Sequence, residues 1–168
     1  MYLFINNISL NKVILGLGQA KKPFDFLNLP NFQNKNDRIL SGIDRLLKKN
    51  KKNLSSLNGI IVINGPGSFA GIRIGLSVAN TLAWVLNIPA IGVNLSQEKH
   101  SQELVKIGIK KLLKIKNLYR AKLSYTTESS YTTGSSDLRS DFRSSYRQKP
   151  VMPFYGKEPN ITRAKQDY

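Results

Sequence analysis

Cysteine is absent from this 168-residue chain, histidine occurs once, and ten acidic residues stand against 26 basic ones. Without cysteine there is neither a disulfide nor thiolate chemistry. His100 has no second His or Cys with which to complete a zinc site. A Ser-His-Asp set would have to use it with no nucleophile-elbow sequence in support, so it reads as a helix-surface residue. Residues 1–94 hold no Glu and only Asp25, Asp37 and Asp44, so paired carboxylates for acid–base or metal chemistry are hard to assemble. A long unbroken apolar run is missing too. The most apolar stretch, Phe69 to Val93, is interrupted by Arg73, Asn80, Asn87 and Pro89, which makes it a poor membrane span. The N-terminus, MYLFINNISL, lacks the basic region and apolar run of a signal peptide. The expectation is a non-enzymatic, cytoplasmic protein without metal and without a membrane segment.

What is abundant is positive charge. The net charge is +16, divided evenly as +8 on residues 1–94 and +8 on residues 95–168. Such a field attracts polyanions, nucleic acid foremost; a lysine-rich, merely solvated surface is the alternative reading. The length is that of one generous domain or two very small ones.

Along the chain, Tyr2–Ile5 and Val13–Leu15 form a hairpin, with Gly16 and Gly18 ending its second strand. Phe24, Phe26 and Leu27 give a weak signal for an edge strand. Asp37 is placed to cap a helix in which Ile39, Leu40, Ile43, Leu46 and Leu47 recur at three- and four-residue spacing. Lys48, Lys49, Lys51 and Lys52 crowd its end, where cations complement the helix dipole. Gly59-Ile-Ile-Val-Ile is the β-branched run of a strand buried on both faces. It leads through INGPGSFAGIRIGL into a helix reaching about Leu86, followed by Pro89 and the strand Ala90–Val93. This is a β-α-β unit with a parallel strand pair. A basic helix spans Leu104 to Leu118. Residues 124–148 hold eight Ser and four Thr and repeat SYTT; so few aliphatics cannot offset ordering entropy, which predicts a flexible insert, a marginal Tyr/Thr strand pair being the alternative. KPVMPFYGKEPNI then regains the composition of a segment that docks back on a domain. The division expected is 1–118 as a lobe, 119–149 as the insert and 150–168 as the docking segment.

Four glycines at the strand-to-helix junction suggest phosphate binding. A P-loop is excluded because Gly71 is followed by Ile72-Arg73 and not by Lys and a hydroxyl. Gly65-x-Gly67-x-x-Ala70 does satisfy a dinucleotide fingerprint. Against it, Pro66 removes an amide donor, and the acid expected after the next strand is Asn94. The glycines also have a geometric reading. Gly65 and Gly67 permit a sharp reversal with positive φ, and Ser68 caps the helix. Gly71, Gly75, Ala79 and Ala83, spaced by four, make a ridge of small side chains. Mid-helix Gly costs about 0.5–1 kcal/mol relative to Ala, and close approach of another backbone offsets that cost. The rest of this helix is apolar nearly all round, which demands burial on more than one side: one side on its own sheet, the other on a partner or elsewhere in the same fold.

GPGSFAGIRIGLSVANTLAWVLNIPAIGV resembles the GPGSFTGLRIGL…iP.iGV segment of the bacterial TsaB (YeaZ) family over residues 58–94, with Ala70 in place of Thr. PVMPFYGKEPNIT resembles that family's Pro-x-Tyr ending. The resemblance implies an α/β fold, one lobe of the actin/Hsp70-like (ASKHA) type with a mixed sheet, helices and a reduced second lobe. It implies a non-catalytic role in making threonylcarbamoyladenosine in tRNA, beside a TsaD-type paralogue that performs the transfer and a TsaE-type ATPase, with tRNA met through the complex and self-pairing when the partner is absent. The family pairs through helices of its first lobe. By position these carry Ile39 and Ile43 on one helix and Gly71, Ile72, Gly75, Leu76, Ala79 and Ala83 on the other. Gly65, Pro66, Gly67 and Ser68 set the loop and are the residues for any nucleotide contact. Ile5-Asn6-Asn7 replaces the family's Ile-Asp-Thr and removes a carboxylate used near magnesium and phosphate, so no cofactor is expected, ATP included. The alternatives are a nucleotide- or dinucleotide-binding enzyme using Gly65–Ala70, or a stand-alone basic RNA-binding protein.

Overall fold

In the computed structural model, residues 1–30, 38–95, 100–126 and 150–154 are described. Strands β1 (Tyr2–Asn6), β2 (Lys12–Gly18), β3 (Asp25–Pro30), β4 (Ile60–Gly65) and β5 (Ala90–Asn94) form one mixed sheet in the order β3-β2-β1-β4-β5. The first three pair antiparallel as a meander, whereas β1–β4 and β4–β5 are parallel. Parallel neighbours require a crossover, and α1 (Arg38–Lys49) and α2 (Phe69–Leu86) lie in the two connections. Helix α3 (Ser101–Thr126) follows β5.

Alternation along the strands divides the core in two. Leu3, Ile5, Leu15, Leu17, Ile60 and Val62 face α1 and α2, while Phe4, Ile61, Ile63, Ile91 and Val93 face α3. Interior strand β4 is thus covered on both sides, as its β-branched run predicts. Ile60, Ile61 and Val62 have no exposed surface, and each such side chain contributes roughly 1.5–3 kcal/mol by leaving water. The outer helices approach closely at glycines. A β-carbon on Gly108 would stand 2.5 Å from Ile61 Cγ2, and one on Gly42 would stand 2.6 Å from the Leu15 and Leu29 methyls.

Four expectations change. Gly16 and Gly18 do not end β2; they continue it, because the space beside them is filled by the rings of Phe26 and Phe24. Leu40 is not on the buried stripe of α1 but is 52% exposed. Helix α3 starts at Ser101 and continues to Thr126, into the segment expected to be flexible. His100 is exposed and precedes α3, its carbonyl accepting from the amides of Glu103 and Leu104. The capping role assigned to Asp37 falls outside the described residues. Of the alternative Tyr/Thr strand pair, residues 124–126 are the helical end of α3 and not strand, and the remainder falls outside the described residues.

Candidate functional site

The β4–α2 junction is organised by backbone groups. Gly65 has φ +127°, a conformation that side chains other than glycine resist, and its peptide bond to Pro66 is cis. Gly67 does not share the positive φ expected of it; glycine is required there for space, since a β-carbon would lie 2.5 Å from Ile8 Cβ and 2.8 Å from Ile8 O. The Ser68 amide donates to the Ile8 carbonyl at 2.8 Å, and the Ser68 hydroxyl accepts from the Gly71 amide at 3.3 Å, capping α2. At its far end α2 stops at Asn87 in the left-handed conformation, φ 52°.

A second segment closes over this junction. Phe154 N–H donates to Asn64 O at 2.6 Å, and Asn64 Nδ2 donates to Met152 O at 3.0 Å. Asn80 on α2 holds Val151 by both its amide and its carbonyl, at 3.0 and 3.1 Å. The Phe154 carbonyl fills the position a β-carbon on Gly65 would take. A dinucleotide fingerprint needs its glycines bare so that pyrophosphate can reach the backbone. Here the space beside Gly65 and Gly67 is occupied by carbonyl oxygens of the same chain, which repel an anion. The dinucleotide alternative therefore loses its geometry.

The small-residue ridge turns out to face the chain's own core. Ala79 and Ala83 are 0% and 1% exposed, and Gly75 is buried, a β-carbon on it standing 3.4–4.0 Å from side-chain atoms of Asn7, Ile5 and Val62. A β-carbon on Gly71 would overlap the Asn7 carbonyl, and Asn7 Nδ2 donates to Gly71 O at 3.0 Å. The backbone that approaches the ridge is thus the end of β1. Ile72, Leu76, Ile39 and Ile43 are likewise buried in the same cluster. The surface assigned from sequence to a partner is, residue for residue, the inner face of α1 and α2, with Gly71 half-buried at its edge.

What α2 presents outward is the opposite side. Trp84 is 81% exposed, Val85 64% and Ile74 49%, with Ala70, Ser77 and Thr81 also exposed among them. At the start of the helix the Arg73 guanidinium sits 3.9 Å over the ring of Phe69, itself half-exposed. By length and composition α2 is apolar enough to cross a membrane, yet in this fold one side of it packs on the sheet. Sequence reasoning missed the outward residues because a helix apolar all round does not announce which side is inward. The available signal was the ridge itself, since the flattest side fits closest to a sheet.

Electrostatics around the helices are simple. Lys49 Nζ and Asn50 Nδ2 both donate to the Asp25 carboxylate, at 2.9 and 3.0 Å, tying β3 to the end of α1. The Lys49 bond, then the Asn50 bond, holds Asp25 below the usual carboxylate range. No three His, Cys, Asp or Glu side chains cluster among the described residues.

Comparison with known proteins bears on the same elements. Residues 32–124 match the model of the family described as TsaD, tRNA N6-adenosine threonylcarbamoyltransferase. The tRNA threonylcarbamoyladenosine biosynthesis protein TsaB of Bacillus subtilis is 39% identical over 62 residues, which is 37% of this chain and 27% of that one. The tRNA N6-adenosine threonylcarbamoyltransferase of Geotalea daltonii is 42% identical over 52 residues, or 31% of this chain and 15% of the relative. The chain thus spans about a quarter of the length of the TsaB relatives it matches. YeaZ from Pseudomonas aeruginosa superposes with a TM-score of 0.51 at 24% identity, covering 55% of this chain and 43% of YeaZ. With more than half its length matched by that model, the chain belongs to the family described as TsaD, tRNA N6-adenosine threonylcarbamoyltransferase, and its sheet and helices share the actin/Hsp70-like lobe fold of YeaZ.

Proposed function

We propose that this chain is a non-catalytic partner subunit in the formation of N6-threonylcarbamoyladenosine in tRNA, and that it binds a TsaD-type paralogue through the outward side of α2. The observation that carries the reading is Trp84, an aromatic left 81% exposed beside Val85 on a helix whose other side is buried. Exposed large apolar groups arranged together mark association surfaces, and Trp is enriched where binding energy concentrates. The family match supplies the chemical setting. The acid-poor N-terminal half favours a supporting role over catalysis. In this reading the protein works in the cytoplasm, tRNA and a TsaE-type ATPase meet the assembled complex, and two copies pair through the same face when the paralogue is absent.

The test is size-exclusion chromatography with light scattering on the full chain mixed with the TsaD-type protein of the same cell. A one-to-one complex is expected. Two unchanged peaks at concentrations well above those in the cell would remove the proposal.

A further inference from the structure

We infer that the α3 face of this chain docks an unpaired stretch of a phosphodiester chain. A concavity of about 340 Å³ lies between the β2–β3 loop and α3, with Lys21 and Lys22 on one rim, Lys106 and Gln102 on the other, and Phe24 and Ile109 among its apolar lining. No acidic residue lines it. From Lys106 the exposed lysines continue at four-residue spacing through Lys110 to Lys114, a rise of about 6 Å per step. Lys114, with Lys111, rims a second, shallower concavity of about 420 Å³ against β5, lined by Ile91 and Ile115. A row of lysines therefore connects two hollows with apolar lining.

Local structure does not account for that row. Like charges four residues apart destabilise a helix, and Lys21, Lys22, Lys106, Lys110 and Lys114 have no ion-pair partner among the described residues. Glu103 is the only acid in the described part of α3. A polyanion that neutralises several of these charges at once reverses the penalty through counterion release. The hollows decide between strand states. Each is of the size that holds a small ligand group, and an apolar lining receives the face of a base, which a single strand offers and a duplex keeps stacked. Binding here and binding of a paralogue are separable, because α3 and α2 lie on opposite faces of the sheet.

The experiment is fluorescence anisotropy of the full chain with oligouridylate, oligothymidylate, a duplex of equal length and polyglutamate, between about 50 and 200 mM salt. Both single strands, or either one, should bind more tightly than the duplex and polyglutamate; the preference between them names the source of the strand. Lys106→Glu/Lys110→Glu should weaken binding at least about tenfold and flatten the plot of log affinity against log salt by about 1.4, as expected for two lost single-strand phosphate contacts. Lys106→Gln/Lys110→Gln should flatten it similarly. Lys12→Glu/Arg45→Glu, with the same net charge but exposed far from the hollows, should retain binding. Equal loss in the two glutamate pairs, equal affinity for duplex or polyglutamate, or binding insensitive to salt would overturn the assignment.

Discussion

Truncating Trp84 tests the outward side of α2 directly. The side chain is 81% exposed in the isolated chain, so Trp84→Ala removes almost no packing from the core. A Trp presents roughly 200 Å² for burial, of which about four-fifths is still available here. At about 25 cal/mol per Å² that surface is worth about 4 kcal/mol in a fully dry interface. Ordering the side chain costs about 0.5–1.5 kcal/mol of this, leaving about 2.5–3.5 kcal/mol, or close to a hundredfold or more in affinity. Isothermal titration of the TsaD-type paralogue into wild-type chain and Trp84→Ala measures the difference, and thermal melts of each alone check the fold. The expected pattern is a loss of that order with an unchanged melting temperature. A change below threefold would refute the docking face, and so would an affinity loss that merely follows a lowered melting temperature.

The inward side gives the complementary predictions. Gly71→Ala should lower stability by about 1–3 kcal/mol, since its new methyl meets the Asn7 carbonyl and overpacked sites cost that much. Gly75→Ala, whose methyl would find only ordinary contacts at 3.4–4.0 Å, should be neutral or gain up to about 1 kcal/mol from helix propensity; urea titration of the two variants reversing this order would show that the ridge does not face β1. Asn80→Ala removes both bonds to Val151. It should speed amide exchange at residues 151–154 in mass-spectrometric hydrogen exchange, and an unchanged rate would mean the segment is held by other contacts. Asp25 is held below its usual range by Lys49 and Asn50, so its contribution is complete above the ordinary aspartate value of about 3.9 and is lost as pH falls through the lower, folded value. With its side chain 30% exposed, the effect should stay below about 1 kcal/mol. Denaturation midpoints of wild type and Asp25→Asn should converge as the pH drops below that window; parallel curves across it would contradict the tether.

Much of this was legible in local sequence. The β-branched run at Gly59–Ile63, the Ser68 cap and the three- and four-residue spacing in α1 each encode a backbone preference or a period that needs no distant partner. The family segment at residues 58–94 then indicated which sheet these pieces build. Elements carried by weak or mixed signals were less exact. The glycines of β2 read as a strand end until the rings of Phe24 and Phe26 are placed over them, and α3 runs beyond its apolar pattern to Thr126.

The sequence by itself determined the strand–glycine turn–helix unit, because steric and hydrogen-bonding preferences over a few residues suffice for that. Which side of α2 turns inward was decided only in three dimensions. Both sides of that helix are apolar, so the hydrophobic effect alone does not distinguish them. Close packing does: the flat side of Gly71, Gly75, Ala79 and Ala83 lets α2 settle onto Asn7, Ile5 and Val62, and that contact leaves Trp84 facing outward.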